Sequence, residues 1–293
     1  MRLVRLANGQ EVGDGRPCYV VAELGQNHDG DLAKALEMLW AAKAAGADAA
    51  KFQKRDCDLC IPDEQKGALR ETPWWGSMTY LDYRKRLEFG RAEFDAIDQE
   101  CRRIGLPWFA SAWDVPSLEF LLAYAPPAIK VPSACLTDIA LLEAIRRSGV
   151  PAILSVGMST LAQINRAVAA LGPDRLVLLW CRSTYPCPPE HLNLRAIHTM
   201  MGRFTIQPIG YSGHEVGVFT SLCAAVLGAA LIERHFTLNR AAKGTDHAAS
   251  LEPKGLARLV QAIRRWEEAR GTGELDGPIP VELPVLAKLR KYP

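Results

Sequence analysis

The sequence predicts an α/β protein folded as a (β/α)8 TIM barrel, preceded by an amino-terminal β-hairpin. Three observations carry the prediction. Eight short apolar runs alternate with amphipathic helical segments at intervals of about 20 to 30 residues, the repeat of a strand-helix barrel. A composition of 48% hydrophobic and 23% charged residues supplies an ordinary globular core. Finally, nearly every apolar run delivers a polar residue at or just beyond its carboxyl end, and the carboxyl ends of barrel strands are where active sites gather. A doubly wound sheet is the rival, but it needs no eighth unit.

The elements follow in order. "LVRLANGQEV" alternates apolar and polar residues around Asn8-Gly9, a favoured two-residue hairpin turn. The eight runs are "CYVVAEL" (18–24), "DAAKF" (48–52), "PWFAS" (107–111), "AIKVP" (128–132), "PAILS" (151–155), "RLVLLW" (175–180), "FTIQPIG" (204–210) and "ALIER" (230–234). The first helix, "DLAKALEMLWAAKAAG", sets Leu32, Leu36 and Leu39 on one face and stops at Gly46. The last helix opens at Pro253, with Leu256, Leu259, Val260 and Ile263 at helical spacing. The connection over 54–90 is long for a compact domain, and such loops are usually functional or disordered. Its aromatics Trp74, Trp75, Tyr80 and Tyr83 argue for an ordered lid or wall. The barrel is expected over 1–275, with 276–293 as a linker or packed tail.

A net charge of +2 gives no case for nucleic acid or an anionic membrane as the main partner. No run approaches the ~20 apolar residues of a membrane span, and the amino terminus lacks a signal peptide's apolar stretch. The expectation is a cytoplasmic protein. Its eight scattered cysteines then read as reduced thiols. Cys57 and Cys60 form a lone C-x-x-C, with no second pair at zinc spacing.

At the strand ends stand Glu23, Lys51 with Gln53, Ser111, Lys130 with Ser133, Ser155, Ser183 with Tyr185, Ser212 with His214, and His235. Each serine alone reads as a turn or cap residue, and each histidine as a partly buried ring with a satisfied hydrogen bond. Their coincidence on one face is the signal. Two lysines among hydroxyls suit a small, strongly anionic ligand such as a phosphorylated carboxylate. Two histidines from successive strands, with Glu23 nearby, suit a divalent metal with open positions, a Lewis acid for a carbonyl. The physical reading is metal-assisted reaction of a phosphate-bearing acid with a carbonyl compound. A Schiff-base aldolase using Lys51 or Lys130 is the alternative.

The segments "AELGQNHDGDLAKAL", "AGADAAKFQK", "KVPSACLTD", "ILSVGMST", "CRSTYPCPPEHLNLRAI", "IGYSGHEVG" and "LIERHFTLNRAAKGTDHAASLEP" resemble, in this order, the sialic acid synthase (N-acetylneuraminate synthase, NeuB-like) family, most closely its animal-type branch. The resemblance implies condensation of phosphoenolpyruvate with N-acetylmannosamine, its 6-phosphate or a related acylamino sugar, giving a nonulosonic acid and phosphate. It implies His214 and His235 as ligands of a divalent metal, Mn2+ or Mg2+, with Glu23 beside the reacting carbons. Lys51, Lys130, Ser133, Ser155, Ser183 and Ser212 would hold phosphoenolpyruvate, and Gln53, Tyr185 and Asp246 the acceptor sugar. A homodimer is implied by the family alone.

Two departures stand out. Where the family carries Gly then an acidic residue after the serine of "PSACL", this chain has Ala134 and Cys135. The family's carboxy-terminal antifreeze-like domain, which lends an arginine to the partner's site, is not expected after the barrel, since 276–293 reads as a tail too short for it. A separate lid protein, the 54–90 loop or a different acceptor would answer for that. A non-catalytic relative that binds sugar or phosphoenolpyruvate is the reading of another class. The basic residues Lys54, Arg55, Lys66, Arg70, Arg84, Lys85 and Arg86 of the loop read either as a solvated face or as a receptor for a sugar phosphate.

Overall fold

In the computed structural model, which describes every residue except Pro73, Asp276 and Pro293, eight parallel strands close into a barrel. They are β1 (Tyr19–Gly25), β2 (Ala49–Lys54), β3 (Trp108–Ala112), β4 (Ile129–Val131), β5 (Ala152–Ser155), β6 (Leu176–Cys181), β7 (Ile209–Gly213) and β8 (Leu231–His235). Each pairs with the next, and β8 closes on β1 with His235 opposite Glu23.

Seven strands fall within two residues of the expected runs. The seventh does not: 204–208 is a loop after the helix Ala196–Arg203, and β7 starts at Ile209. Pro208 explains the shift, since it has no N–H to give a ladder, although its carbonyl accepts from Leu178 N at 3.0 Å.

Strand alternation divides the barrel interior into storeys. The residues facing inward at the lower level are apolar: Val21, Ala49, Phe109, Ile153 and Val177 join one buried cluster. The hairpin Leu3–Arg5 and Glu11–Gly13 plugs that end, placing Val4, Leu6 and Val12 in the same cluster. Its connection is longer than the expected two-residue turn. Leu6 is buried against the barrel, Leu6 N donates to Gln10 O at 2.8 Å, and Asn8 Oδ1 accepts from Gln10 N at 3.2 Å. Two residues further along the strands, the inward positions turn polar, with Glu23 above Val21, Lys51 above Ala49 and Ser111 above Phe109.

The outward faces of the strands pack under the helices. The first helix, Leu32–Ala44, is capped by Asp31, whose Oδ1 accepts from Ala33 N at 2.8 Å, and it buries Met38 and Leu39. The last long helix spans Pro253–Ala269 and buries all four expected apolar residues.

The 54–90 segment is ordered. It holds two helical turns (Cys57–Cys60 and Asp63–Lys66), an antiparallel pair (Leu69–Thr72 with Gly76–Thr79) and the helix Tyr80–Leu87. Trp75 packs on Tyr83 at 6.1 Å, Trp74 is exposed, and Tyr80 reaches the barrel mouth. The carboxy-terminal segment forms a short helix, Leu283–Leu289, whose Leu283, Val285 and Leu289 are exposed rather than packed. Among the described residues no helix is long and apolar enough to cross a membrane.

Candidate active site

At the carboxyl ends of the strands the barrel opens into a cavity of about 500 Å³, and all twelve residues assigned roles above line it. The floor is an alternation of opposite charges. Lys51 Nζ stands 2.7 Å from Glu23 Oε2 and 3.8 Å from Glu233 Oε1, and it donates to Ser111 Oγ at 2.9 Å. Lys130 Nζ donates to Ser155 Oγ at 2.7 Å and to Val131 O at 3.0 Å. Ser212 Oγ donates to Glu233 Oε1 at 3.1 Å.

All of these side chains are buried, so their charges persist only through one another. Burial lowers the Lys130 pKa, opposed by Glu233. For Glu233 burial acts upward, yet Lys130 and Lys51 outweigh it and leave the carboxyl below the ordinary range.

Beside the floor, the turn after β5 brings backbone close to side chains. Gly157 N donates to Ser133 Oγ at 3.1 Å and to Cys181 Sγ at 3.2 Å, and Ser133 Oγ lies 3.2 Å from that sulfur. A Cβ on Gly157 would stand 2.5 Å from Ser183 Oγ and 2.9 Å from Ser133 Oγ. The missing side chain therefore leaves room for two hydroxyls and an amide to face one point.

His214 follows β7 and His235 ends β8, with ring centroids 5.5 Å apart and Tyr185 packed on both, at 4.1 Å and 5.6 Å. His214 Nδ1 lies 2.5 Å from Arg182 O; donation to that carbonyl fixes the tautomer with Nε2 unprotonated. Burial, with His235 alongside, lowers the His214 pKa to about 3, so the ring is neutral at ordinary pH. Beneath the pair, Arg234 Nη1 binds Glu215 Oε1 at 3.0 Å and Nη2 binds Glu215 O at 2.6 Å, locking the two strand ends together.

This donor set fits a divalent transition ion. Two buried imidazoles face each other across a bridgeable gap, and His235 Nδ1 has no hydrogen-bond partner, with Asp246 Oδ2 at 3.6 Å. Among the described residues no third His, Cys, Asp or Glu completes a conventional ligand cluster, which leaves positions open to oxygen ligands.

Beside Glu23, Gln53 Nε2 donates to Glu23 Oε1 at 2.8 Å, and Arg55 donates to Gln53 Oε1. Asp246 is pushed up by burial but drawn down further by His235, the Thr245 hydroxyl and Arg84, and it ends below the ordinary range. Cys135, at the position of the usual carboxylate, does not line this cavity. Its thiol turns to Trp113 O at 3.5 Å, and Ala134 meets the cavity instead. The C-x-x-C pair is inert for related reasons. Burial raises both thiols, Cys57 to about 11, and Cys60 Sγ donates to Asp114 Oδ2 at 3.1 Å.

Three contributors were absent from the expected set: Glu233, Gly157 and Arg84 as a specific member of its basic run. Glu233 was legible, because strand alternation sets it inward two residues before His235. Gly157 and Arg84 had no local signal.

Comparison with known proteins agrees with this geometry. A model of the NeuB family matches residues 38–275. N-acetylneuraminate-9-phosphate synthase of Homo sapiens is 39% identical over 277 residues, which cover 92% of this chain and 76% of that protein. N,N'-diacetyllegionaminic acid synthase of Legionella pneumophila is 33% identical over 95% of this chain and 80% of its own length. The crystal structure of an N-acetylneuraminic acid (sialic acid) synthetase from Leptospira borgpetersenii in complex with citrate superposes with a TM-score of 0.86 at 32% identity, covering 99% of this chain and 98% of that one. With the family match running over most of the barrel, and the twelve expected residues gathered at its mouth, the chain belongs to the NeuB family.

Proposed function

We propose that this protein condenses phosphoenolpyruvate with an acylamino sugar. C3 of the enol would add to the sugar's aldehyde carbon, water would add at C2, and the C2–O bond would break to release phosphate. The product is a 3-deoxy-2-keto sugar acid of the sialic acid type. One observation carries the reading: two buried lysines, each bonded to a serine of the next strand, share a cavity with a facing pair of buried histidines. Named relatives make sialic, legionaminic and pseudaminic acids, which share this condensation chemistry.

In this reading Lys51 and Lys130, with Ser133, Ser155, Ser183 and Ser212, hold the phosphate and carboxylate of phosphoenolpyruvate. His214 and His235 would hold Mn2+ or Mg2+, which when bound supplies Lewis-acid polarisation of the aldehyde. Glu23 lies against Lys51 and Gln53, at the point where a proton or the attacking water is handled. Tyr185, Gln53 and Asp246 orient the acceptor. Holding both reactants in one enclosed cavity lowers the entropic barrier to bond formation.

The test is phosphate release from phosphoenolpyruvate with Mn2+ across a panel of acylamino sugars and their phosphates, with mass spectrometry of the products. Release that requires one acceptor, with a product of summed carbon skeleton, supports the reading. Phosphoenolpyruvate binding without release under any acceptor would favour a non-catalytic relative. Borohydride trapping at Lys130 would favour the Schiff-base alternative, toward which the lowered pKa of that amine points.

A further inference from the structure

One buried side chain ties together three of the segments that shape the barrel mouth, without lining the cavity itself. Arg234 lies between Glu233 and His235 on β8, and strand alternation turns it away from the cavity that those two line. It is fully buried. Its Nη1 donates to Glu215 Oε1 at 3.0 Å, Gly217 O at 2.7 Å and Ser221 Oγ at 2.9 Å. Its Nη2 donates to Glu215 O at 2.6 Å and Ala249 O at 3.4 Å. These partners belong to the loop after His214, the start of the helix Phe219–Val226, and the turn His247–Ala249 that follows Asp246.

Glu215 is closed in from its other side as well. Ser221 Oγ donates to its Oε1 at 2.6 Å and the Tyr211 hydroxyl to its Oε2 at 2.8 Å. A buried guanidinium persists only among acceptors, and a buried carboxylate only among donors. The backbone makes room for the pair: a Cβ on Gly213 would stand 2.6 Å from Glu215 Oε2 and 2.9 Å from Arg234 Cδ.

The two histidines above this pair are not held alike. His214 Nδ1 has Arg182 O, whereas His235 Nδ1 has no hydrogen-bond partner. The place of the His235 ring therefore depends on its backbone and on Tyr185 packed against it. That backbone is gripped twice. Arg234 precedes it, and Leu251 N donates to His235 O at 2.7 Å from just beyond the turn that Arg234 also holds.

We propose that Arg234, through Glu215, is a positioning residue for the histidine pair. It sets the gap between His214 and His235 and the approach of Asp246 to them, and with that gap the affinity of the site for a divalent ion. This rests on the condensation reading above, in which the two histidines hold the ion. A planar guanidinium can bind several segments in fixed directions, which the point charge of a lysine cannot do. Groups that orient ligands from behind typically change metal affinity by ~10- to 100-fold when lost.

The experiment titrates Mn2+ into the full chain and into Arg234→Lys, Glu215→Gln and Tyr211→Phe by calorimetry. Phosphoenolpyruvate is titrated into the same proteins in a chelator, the visible spectrum of bound Co2+ is recorded, and urea unfolding reports stability. The Kd for Mn2+ is expected to rise by ~10- to 100-fold in Arg234→Lys, and by less in Tyr211→Phe, which removes one bond to Glu215. The Co2+ spectrum should change in the same order. Phosphoenolpyruvate affinity without the ion should stay as in wild type, because Lys51 and Lys130 stand on other strands. Should Arg234→Lys fail to fold, Tyr211→Phe still decides, since it leaves the buried ion pair in place.

Mn2+ affinity that is unchanged in the folded variants would overturn the proposal. So would a loss matched by an equal loss of ion-free phosphoenolpyruvate affinity, which would mean a general loosening of the barrel. A wild type that binds no Mn2+ would remove the ion from the histidines and this proposal with it, whereas equal binding by wild type and variants would remove this proposal alone.

Discussion

Replacing Gly157 by alanine is the sharpest single test of the anion cradle. The glycine's backbone lies outside the left-handed region, so alanine meets no conformational penalty and only space is at issue. The new methyl would stand 2.5 Å from Ser183 Oγ, 2.8 Å from Cys181 Sγ and 2.9 Å from Ser133 Oγ, all closer than real contacts allow. All three belong to short side chains on fixed backbone, so they must turn away.

The consequence can be sized. Ser133 loses the bond from Gly157 N, about 1 kcal/mol, and on the proposed reading both hydroxyls lose their aim at phosphoenolpyruvate, about 1.5–3 kcal/mol each. The KM for phosphoenolpyruvate should therefore rise by ~10²- to 10⁴-fold. Stability should fall by no more than ~2–3 kcal/mol. Overpacking costs ~1–3 kcal/mol, partly offset by the ~0.4–1 kcal/mol that Gly→Ala gains by restricting the unfolded chain. Steady-state kinetics alongside urea unfolding separates the two effects. Gly202, with nothing within 4 Å of its would-be Cβ, is the control, and Gly202→Ala should leave KM unchanged. A Gly157→Ala enzyme whose KM stays within tenfold of wild type would refute the cradle.

Two further outcomes test the frame around the site. His28 is buried against Phe89 at 4.0 Å, and burial lowers its pKa to about 4 from an unfolded value near 6.5. A depressed histidine stabilises above its unfolded pKa and loses that stability as pH falls toward the folded value. Unfolding free energy should thus drop by ~2–3 kcal/mol more between pH 7.5 and 4.5 in wild type than in His28→Gln, as read by urea titration. Lys51→Met would leave Glu23 charged and buried, costing ~3–5 kcal/mol, and adding Glu23→Gln should recover at least half of that. A double variant as unstable as the single one would show that the pair does not act as a unit.

How much of this was legible follows from what each feature depends on. The barrel rests on apolar runs alternating with amphipathic helices, and the polar storey on period-two alternation within strands; short-range sequence displays both. Glu23, Lys51, Lys130 and Ser155 were therefore identifiable from their strand ends. The same rule placed Glu233 inward, but a carboxylate two residues before a histidine was read only as strand. The seventh strand slipped because "FTIQPIG" has the apolar content of a strand while Pro208 denies it a ladder. Gly157 and Arg84 depend on contacts between distant segments, and nothing local separates Arg84 from Lys85 or Arg86. The role of Cys135 likewise turned on where one thiol points, which sequence does not encode locally.

The floor's own charge balance yields a last prediction. Lys51 and Lys130 oppose Glu23 and Glu233, so the floor contributes no net charge, and His214 stays neutral far below pH 7. Phosphoenolpyruvate brings a phosphate and a carboxylate into this neutral, buried surface, a few ångströms from two carboxylates. At an effective dielectric near 20, like charges 4 Å apart repel by about 4 kcal/mol, so lysine contacts alone are partly cancelled. On the proposed reading a divalent ion at His214 and His235 restores the missing positive charge, and the two ligands must then bind cooperatively. The expected coupling is ~1–3 kcal/mol, a 5- to 150-fold tighter Kd for phosphoenolpyruvate in saturating Mn2+ than in a chelator. Reciprocity requires Mn2+ to bind tighter by the same factor when phosphoenolpyruvate is present, and His214→Ala to abolish both effects. Calorimetric titration reads each leg of the cycle. Equal phosphoenolpyruvate affinity with and without the ion would mean that the two lysines exchange their glutamate partners for the ligand unaided, and that the histidine pair serves the acceptor alone.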